Sequence, residues 1–201
     1  MSEQYFASSP QSSHDMKTLN LVFEGCVFQF DTDAGVFSRD DLDKGTALLL
    51  RYTLPHLSGK VLDLGCGWGA VGVIIAKLKP QCRVTMLDIN ERAVSLARKN
   101  LEHNRVQARV FCADKLKQAN EHFDWILLNP PIRAGKQTVY RLFEESAGRL
   151  SAGGTLALVI RKQQGALSAR VHLETLFDFV SLIARKSGYH IYFCRRGEHE
   201  V

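Results

Sequence analysis

Two short apolar runs flank the pair Glu24-Gly25 in the segment LNLVFEGCVFQF, which spans Leu19 to Phe30. Apolar runs on either side of a glycine turn predict two short strands folded as a hairpin. A polar loop, DTDAGVFSRDDLDKGT, follows, and then a short apolar helix expected around Ala47–Leu54. From Lys60 the pattern changes to alternating strands and helices. KVLDLG reads as a strand. Val71, Ile74, Ile75 and Leu78 then stand at i, i+3, i+4 and i+7, the spacing of one helix face, and Pro80 ends that helix. RVTMLD is the next strand, and Asn90 is a good N-cap for a helix carrying Val94, Ala97 and Leu101. Two strands, ARVFCAD and FDWILLN, precede a helix expected over Thr138–Leu150 and broken by Gly153-Gly154. Strand TLALVI, a helix near Ala166–Phe177 and strand FVSLIA come next, and Ser187-Gly188 turns the chain into strand YHIYFC. Two strands joined by so short a turn must pair antiparallel, because a parallel partner needs a crossover. The sum is an α/β fold. It is a doubly wound, seven-stranded, mostly parallel sheet with an antiparallel last strand and a small N-terminal β-hairpin extension. Residues 1–55 are expected to form the extension and 56–201 the main domain.

Composition narrows the class. The 201 residues are 45% hydrophobic and 23% charged, an ordinary globular balance for about one domain. Disordered, collagen-like and coiled-coil chains are thereby excluded. No apolar stretch is long enough to span a bilayer, and the start, MSEQYFASSPQSSHD, lacks the basic and apolar regions of a secretory signal. Cysteines 26, 66, 82, 112 and 194 form no CxxC pair, so no disulfide framework and no metal site is expected, and a reduced cytoplasm is. The net charge of +5 is unevenly spread. Residues 1–60 hold 5 basic and 8 acidic groups, and the rest hold 21 and 13. A basic main domain attracts nucleic acid through phosphate contacts.

Ligands of doubly wound sheets bind beyond the carboxyl ends of the strands, so the chemistry is sought there. The first parallel strand ends in Asp63-Leu64-Gly65-Cys66-Gly67-Trp68-Gly69. Glycines let the backbone turn tightly and approach a ligand. Gly67-x-Gly69-x-x-Gly72 also fits a dinucleotide fingerprint, but a carboxylate at Asp63 suits a cationic ligand better than a pyrophosphate. The second strand ends in Asp88, placed as an acceptor for ribose hydroxyls, and the third in Asp114, which could accept from an adenine amino group. The fourth ends in Asn129-Pro130-Pro131-Ile132. Two prolines make this segment rigid. The Asn129 side-chain oxygen and the Pro130 carbonyl could together accept both hydrogens of a planar NH2 group and align its lone pair. His103, His122 and His190 have no partner in the pattern and read as surface or packing residues.

Together these strand ends resemble the class I S-adenosylmethionine-dependent methyltransferases. DLGCGWG resembles their cofactor loop, LDIN the ribose-binding acid, CAD the adenine-contacting acid, and NPPI the [DN]PP[FYW] motif of enzymes that methylate amino or amide nitrogens. GVFSRDDLDKGTALLL, NPPIRAGK and RKQQGA narrow the resemblance to the small RsmC-like methyltransferases, over about Tyr5 to Arg195. That family is associated with guanine N2 methylation in small-subunit ribosomal RNA. The resemblance implies a Rossmann-like methyltransferase fold and S-adenosyl-L-methionine as cofactor. Ribosomal RNA, or a small-subunit particle, is the implied partner. There is no membrane or metal, and the oligomeric state stays open.

By residue, the resemblance implies that Gly65, Cys66, Gly67 and Gly69 line the methionine moiety and Asp63 meets its ammonium. Asp88, with Ile89 and Asn90, takes the ribose, and Asp114 takes the adenine. Phe37 and its loop close over the cofactor. Asn129 borders the cofactor and holds the target amine, with Pro130, Pro131 and Ile132 completing the catalytic segment. Where relatives have an aromatic residue after NPP to stack on the base, this chain has Ile132, so stacking is expected from Phe37 or Trp68, or is replaced by apolar contact. Arg133 and Lys136 are candidate phosphate contacts, and Arg161, Lys162, Arg195 and Arg196 extend the basic rim. Alternatives are a transfer RNA base, adenine N6 or a protein glutamine amide as acceptor, a nicotinamide-dependent dehydrogenase, or a cofactor-binding assembly factor without catalysis.

Overall fold

In the two-residue turn at Glu24-Gly25 both residues have positive φ, 48° and 76°. Such a turn matches the right-handed twist of the strands it joins. It folds β1 (Lys17–Phe23) onto β2 (Cys26–Thr32), with Phe23 opposite Cys26. The computed structural model describes residues 13–113, 116 and 121–197. Asp114 therefore lies outside the described residues.

After the hairpin come α1 (Lys44–Thr53), β3 (Lys60–Leu64), α2 (Ala70–Leu78), β4 (Arg83–Asp88), α3 (Glu91–His103) and β5 (Arg109–Cys112). The second half adds β6 (Phe123–Leu128), α4 (Lys136–Ala147), β7 (Leu150–Arg161), α5 (Ala166–Leu173), β8 (Phe179–Lys186) and β9 (Tyr189–Arg195). The seven-stranded sheet has the order β5-β4-β3-β6-β7-β9-β8. Strands β3 to β7 run parallel, and β9 is antiparallel to both its neighbours. Among the described residues no helix is long and apolar enough to cross a membrane.

Four local expectations are corrected. Helix α1 starts at Lys44, earlier than Ala47, because the Asp43 side chain accepts from the Thr46 N–H and caps it. Helix α4 stops at Ala147 rather than Leu150. Gly153-Gly154 does not break a helix. It lies inside β7, where the register against β6 shifts, and a Cβ on Gly154 would stand 2.9 Å from the Ser151 carbonyl and 3.0 Å from that of Phe123. The glycines make a bulge, as bare residues in a strand often do. Helix α5 ends at Leu173, short of Phe177.

The sheet is covered on both faces. One core joins α1, α2, α3 and the hairpin, through residues such as Leu49, Ile74, Ala97, Phe28 and Phe30. The other joins α4 and α5, through Phe143, Val139, Ala169 and Leu173. β9 is buried from Tyr189 to Cys194, whereas β8 is largely exposed or half-buried, which suits an inner and an edge strand respectively.

The hairpin is joined to α3 by two asparagines one turn apart. Asn104 Oδ1 accepts from Gln29 N–H at 3.1 Å, and its Nδ2 donates to the Gln29 carbonyl at 2.6 Å. Asn100, fully buried, repeats the pattern with Asp31 at 2.6 and 2.9 Å and also donates to the Trp68 carbonyl at 2.7 Å. The two amides pair with β2 as a further strand would. Asn100→Ala strips three backbone groups, one buried and two half-buried, of their partner, at a cost on the order of 3 kcal/mol. For a domain of this size the melting temperature is expected to fall by roughly 6–12 °C. Thermal unfolding followed by circular dichroism checks this; a shift under about 2 °C would remove the asparagine clamp as a stability determinant.

Candidate active site

The carboxyl ends of β3, β4 and β6 open on a cavity of about 350 Å³, a size within the usual range for small-molecule sites. Its floor is the loop after β3. Gly65 and Gly67 have positive φ, 73° and 54°, and a Cβ on either would meet nothing within 4 Å. The bare backbone thus faces open space, as a cradle for a ligand requires. Gly65 and Cys66 N–H groups donate to the Leu87 carbonyl, which ties the loop to β4. Gly69 behaves differently from its two neighbours. It does not line the cavity, and a Cβ there would stand 3.0 Å from the Ala97 side chain. Its bareness lets α2 pack closely on α3.

Two acids sit at the floor, Asp63 buried and Asp88 half-buried. Asp63 is 4% exposed, and its Oδ2 accepts from the Gly72 N–H at 2.9 Å. Burial pushes its pKa up to about 7, against the Gly72 hydrogen bond and with added repulsion from Asp88. Asp88 accepts from Gly67 N–H at 2.7 Å and Asn90 N–H at 2.9 Å, and burial raises its pKa as well, with these bonds opposing. Among the described residues, no Lys, Arg or His forms an ion pair with either acid. A buried and a half-buried carboxylate short of a cation fit a ligand that brings its own positive charge and hydroxyl donors. Cys66 also lines the cavity, and burial holds its thiol well above the usual range, so it stays neutral.

The cavity roof is the loop before α1. Phe37, 41% exposed, lines the cavity. Trp68 Nε1 donates to the Phe37 carbonyl at 2.9 Å, and the Asn90 amide donates to that of Gly35 at 3.1 Å. Asn90 also caps α3, accepting from Arg92 and Ala93 N–H groups. Trp68 packs edge-to-face on Phe30, with ring centroids 4.9 Å apart, and is buried. Trp68 also lines the cavity, as Phe37 does.

The side wall is Asn129-Pro130-Pro131, all lining the cavity. Asn129 Nδ2 donates to Thr46 Oγ1 at 2.9 Å and to Asp43 Oδ2 at 3.2 Å. Both partners lie at the start of α1, and the sequence reading missed them. An N-cap aspartate before an apolar helix was the signal that could have marked Asp43. Ile132 does not line the cavity; it packs against the core beneath α4. Arg133 and Lys136 are exposed on the segment between Pro131 and Thr138, which both line the cavity, and Lys136 Nζ lies 5.1 Å from the Tyr140 ring centroid. Ile89 and Asn90 line the far end. His103, His122 and His190 lie away from the cavity, and His190 is buried against the Tyr192 hydroxyl. Among the described residues no group of three or more His, Cys, Asp or Glu could hold a metal ion.

Comparison with known proteins adds to this geometry. The sequence model of the methyltransferase small domain matches residues 27–193. An uncharacterized Bacillus subtilis protein, YbxB, is 40% identical over 195 residues, 95% of this chain and 97% of its own length. Ribosomal RNA small subunit methyltransferase C of Escherichia coli is 36% identical over 162 residues, 79% of this chain and 46% of its own length. Among solved structures, a Thermus thermophilus 16S rRNA N2 methyltransferase, RsmC, in complex with AdoMet and guanosine, matches with a TM-score of 0.81 at 26% identity. That match covers 93% of this chain and 52% of the other. The chain thus spans about half the length of these two methyltransferases.

Asp63 generates a pH signature. An unfolded aspartate titrates near 3.9, so the folded protein holds this proton more tightly up to about pH 7. The stability Asp63 contributes is fully present below about pH 4 and is lost as pH rises through 7. Asp63→Asn removes the titration while keeping an acceptor for Gly72. Melting temperatures of both proteins between pH 5 and 8 are expected to diverge, with the wild type losing ground as pH rises. A constant difference across that range would contradict the raised pKa.

Proposed function

The chain belongs to the methyltransferase small domain family, within the RsmC-like class I methyltransferases that use S-adenosyl-L-methionine, and from that premise we propose that it methylates guanine N2 in small-subunit ribosomal RNA. When bound, the cofactor supplies an electrophilic methyl group on a sulfonium. The observation that carries the reading is the side wall: Asn129, tied through its Nδ2 to α1, beside the rigid Pro130-Pro131.

In this reading Asp63 takes the cofactor ammonium and Asp88, with Ile89 and Asn90, the ribose. The raised proton affinity of both acids, neither with an ion-pair partner among the described residues, supports this assignment. Gly65, Cys66 and Gly67 carry the methionine portion over bare backbone. Asp114 remains the proposed adenine contact. Asn129 Oδ1 and the Pro130 carbonyl accept the two hydrogens of the target amine. Guanine N2 is a weak nucleophile because its lone pair is delocalised into the ring. Two acceptors favour a pyramidal nitrogen and stabilise the positive charge that develops on it. No strong general base is required before attack. Phe37, exposed at the roof, supplies the face for the base, and Ile132 supports the wall from the core side. The loop around Phe37, within an N-terminal extension of residues 1–55, covers cofactor and base, and 56–201 form the catalytic domain. Arg133 and Lys136 contact phosphates, positioning the RNA without reading it. A base in a duplex is out of reach, so the target is flipped out or single-stranded. The activity belongs to the cytoplasm, where the RNA or the assembling particle is found.

RNA from a strain lacking the protein, digested to nucleosides, is expected to lose N2-methylguanosine in the small-subunit fraction alone, as read by mass spectrometry. Unchanged levels there would overturn the substrate assignment and turn attention to transfer RNA, adenine N6 or a glutamine amide. With the purified protein, Asn129→Ala is expected to bind S-adenosylmethionine within about twofold of wild type by calorimetry. Its transfer rate is expected to drop on the order of 100-fold or more, the range for loss of one charge-stabilising group. Equal turnover would remove Asn129 from the reaction.

A further inference from the structure

We propose that Asp43 and Thr46, at the first turn of α1, are positioning residues: they set which edge of the Asn129 amide meets the acceptor nitrogen. The proposal rests on the reading of Asn129 given above and concerns the control of its orientation.

An asparagine amide has two edges of nearly equal shape and opposite chemistry, a carbonyl that accepts and an NH2 that donates. An acceptor amine presents hydrogens. Only the carbonyl edge can engage them, and a flipped amide would set donors against donors. Orientation is therefore a condition of the reaction, and the side chain alone does not determine it.

The neighbours determine it. A carboxylate accepts and cannot donate. Asp43 Oδ2 lies 3.2 Å from Asn129 Nδ2, and Thr46 Oγ1 lies 2.9 Å from it. A flip would bring the Asn129 carbonyl against the Asp43 carboxylate, acceptor against acceptor. The Thr46 hydroxyl lies 3.4 Å from the same Asp43 oxygen and points its proton there, which leaves its lone pairs for the Asn129 NH2. With both amide hydrogens taken by α1, the carbonyl is the edge left for the cavity. Hydrogen bonds in a chain polarise one another, so a donating NH2 also makes that carbonyl a stronger acceptor.

The clamp is itself held. Asp43 is fixed by its N-cap bond to Thr46 N–H at 2.9 Å. A Cβ on Gly45 would stand 2.8 Å from a Tyr189 ring carbon and 2.9 Å from Asp43 Oδ2, so Tyr189 of β9 closes in the helix start beside the carboxylate. Asp43 is 86 residues before Asn129 in the chain. The contact belongs to no local motif.

The test uses three variants. Asp43→Asn keeps a helix cap, since Asn caps as well as Asp, but can face Asn129 with either edge. Thr46→Val removes the hydroxyl at nearly constant shape, and Thr46→Ser restores it. In 15N-labelled, cofactor-free protein, the Asn129 side-chain NH2 signals are assigned by their loss in Asn129→Ala. They are expected to shift and to exchange faster with water in D43N and T46V, and to return to wild-type behaviour in T46S. With small-subunit RNA as substrate, kcat is expected to fall about tenfold in D43N and T46V, the factor for one hydrogen bond. KM and cofactor affinity should hold, and T46S should restore the rate. Unaltered NH2 signals in both D43N and T46V overturn the proposal, as does an unaltered kcat alongside altered signals. If wild-type protein transfers no methyl group to the RNA, the substrate reading fails while the NH2 signals still decide whether α1 orients Asn129.

Discussion

Two neighbouring carboxylates at the ends of β3 and β4, Asp63 buried and Asp88 half-buried, set the conditions for everything around them. Like charges out of water repel, and each must be offset or neutralised. Here backbone N–H groups do part of that work: Gly72 for Asp63, and Gly67 and Asn90 for Asp88. The remainder is left as a raised proton affinity. The glycine loop has the shape it has because Asp88 holds Gly67 from below while Gly65 and Gly67 leave the upper surface bare.

The roof follows from the same loop. Trp68 points down into the hairpin core and holds the Phe37 carbonyl with its indole N–H. Its own carbonyl takes a hydrogen bond from Asn100, which also pairs with β2. Asn90, held through its N–H by Asp88, reaches the Gly35 carbonyl, and Arg92 reaches that of Ala34. The loop around Phe37 is thus tied to the cavity floor by side chains that are also helix caps and packing residues. Hairpin, loop and floor share one hydrogen-bond network, so disturbance of the hairpin reaches the site.

Much of this was legible in the chain. Strands, helices, the glycine loop, the Asn90 cap and the acids at the strand ends all follow from local period and local chemistry. The departures have a common character. Gly153-Gly154 looked like a helix breaker, yet the strand on either side pairs with β6 and absorbs it as a bulge. Gly69 looked like part of the ligand cradle, yet it does not line the cavity, and beyond its φ of 89° it is Ala97 on α3 that leaves no room for a side chain. Trp68 is pinned by two residues far up the chain, its ring by Phe30 and its N–H by the Phe37 carbonyl. In each case a residue far along the chain supplied the deciding contact.

The sequence by itself determined the alternation of elements, the identity of the glycine loop, and the set of acids and the NPP segment at the strand ends. These depend on side-chain period, backbone freedom and residue type, which are properties of a few neighbouring positions. Tertiary structure alone decided that β9 enters between β7 and β8, that the hairpin docks on Asn100 and Asn104, and that Asp43 and Thr46 meet Asn129. A donor and an acceptor more than 80 residues apart become partners only when the sheet brings the ends of α1 and β6 together. No local pattern encodes that distance.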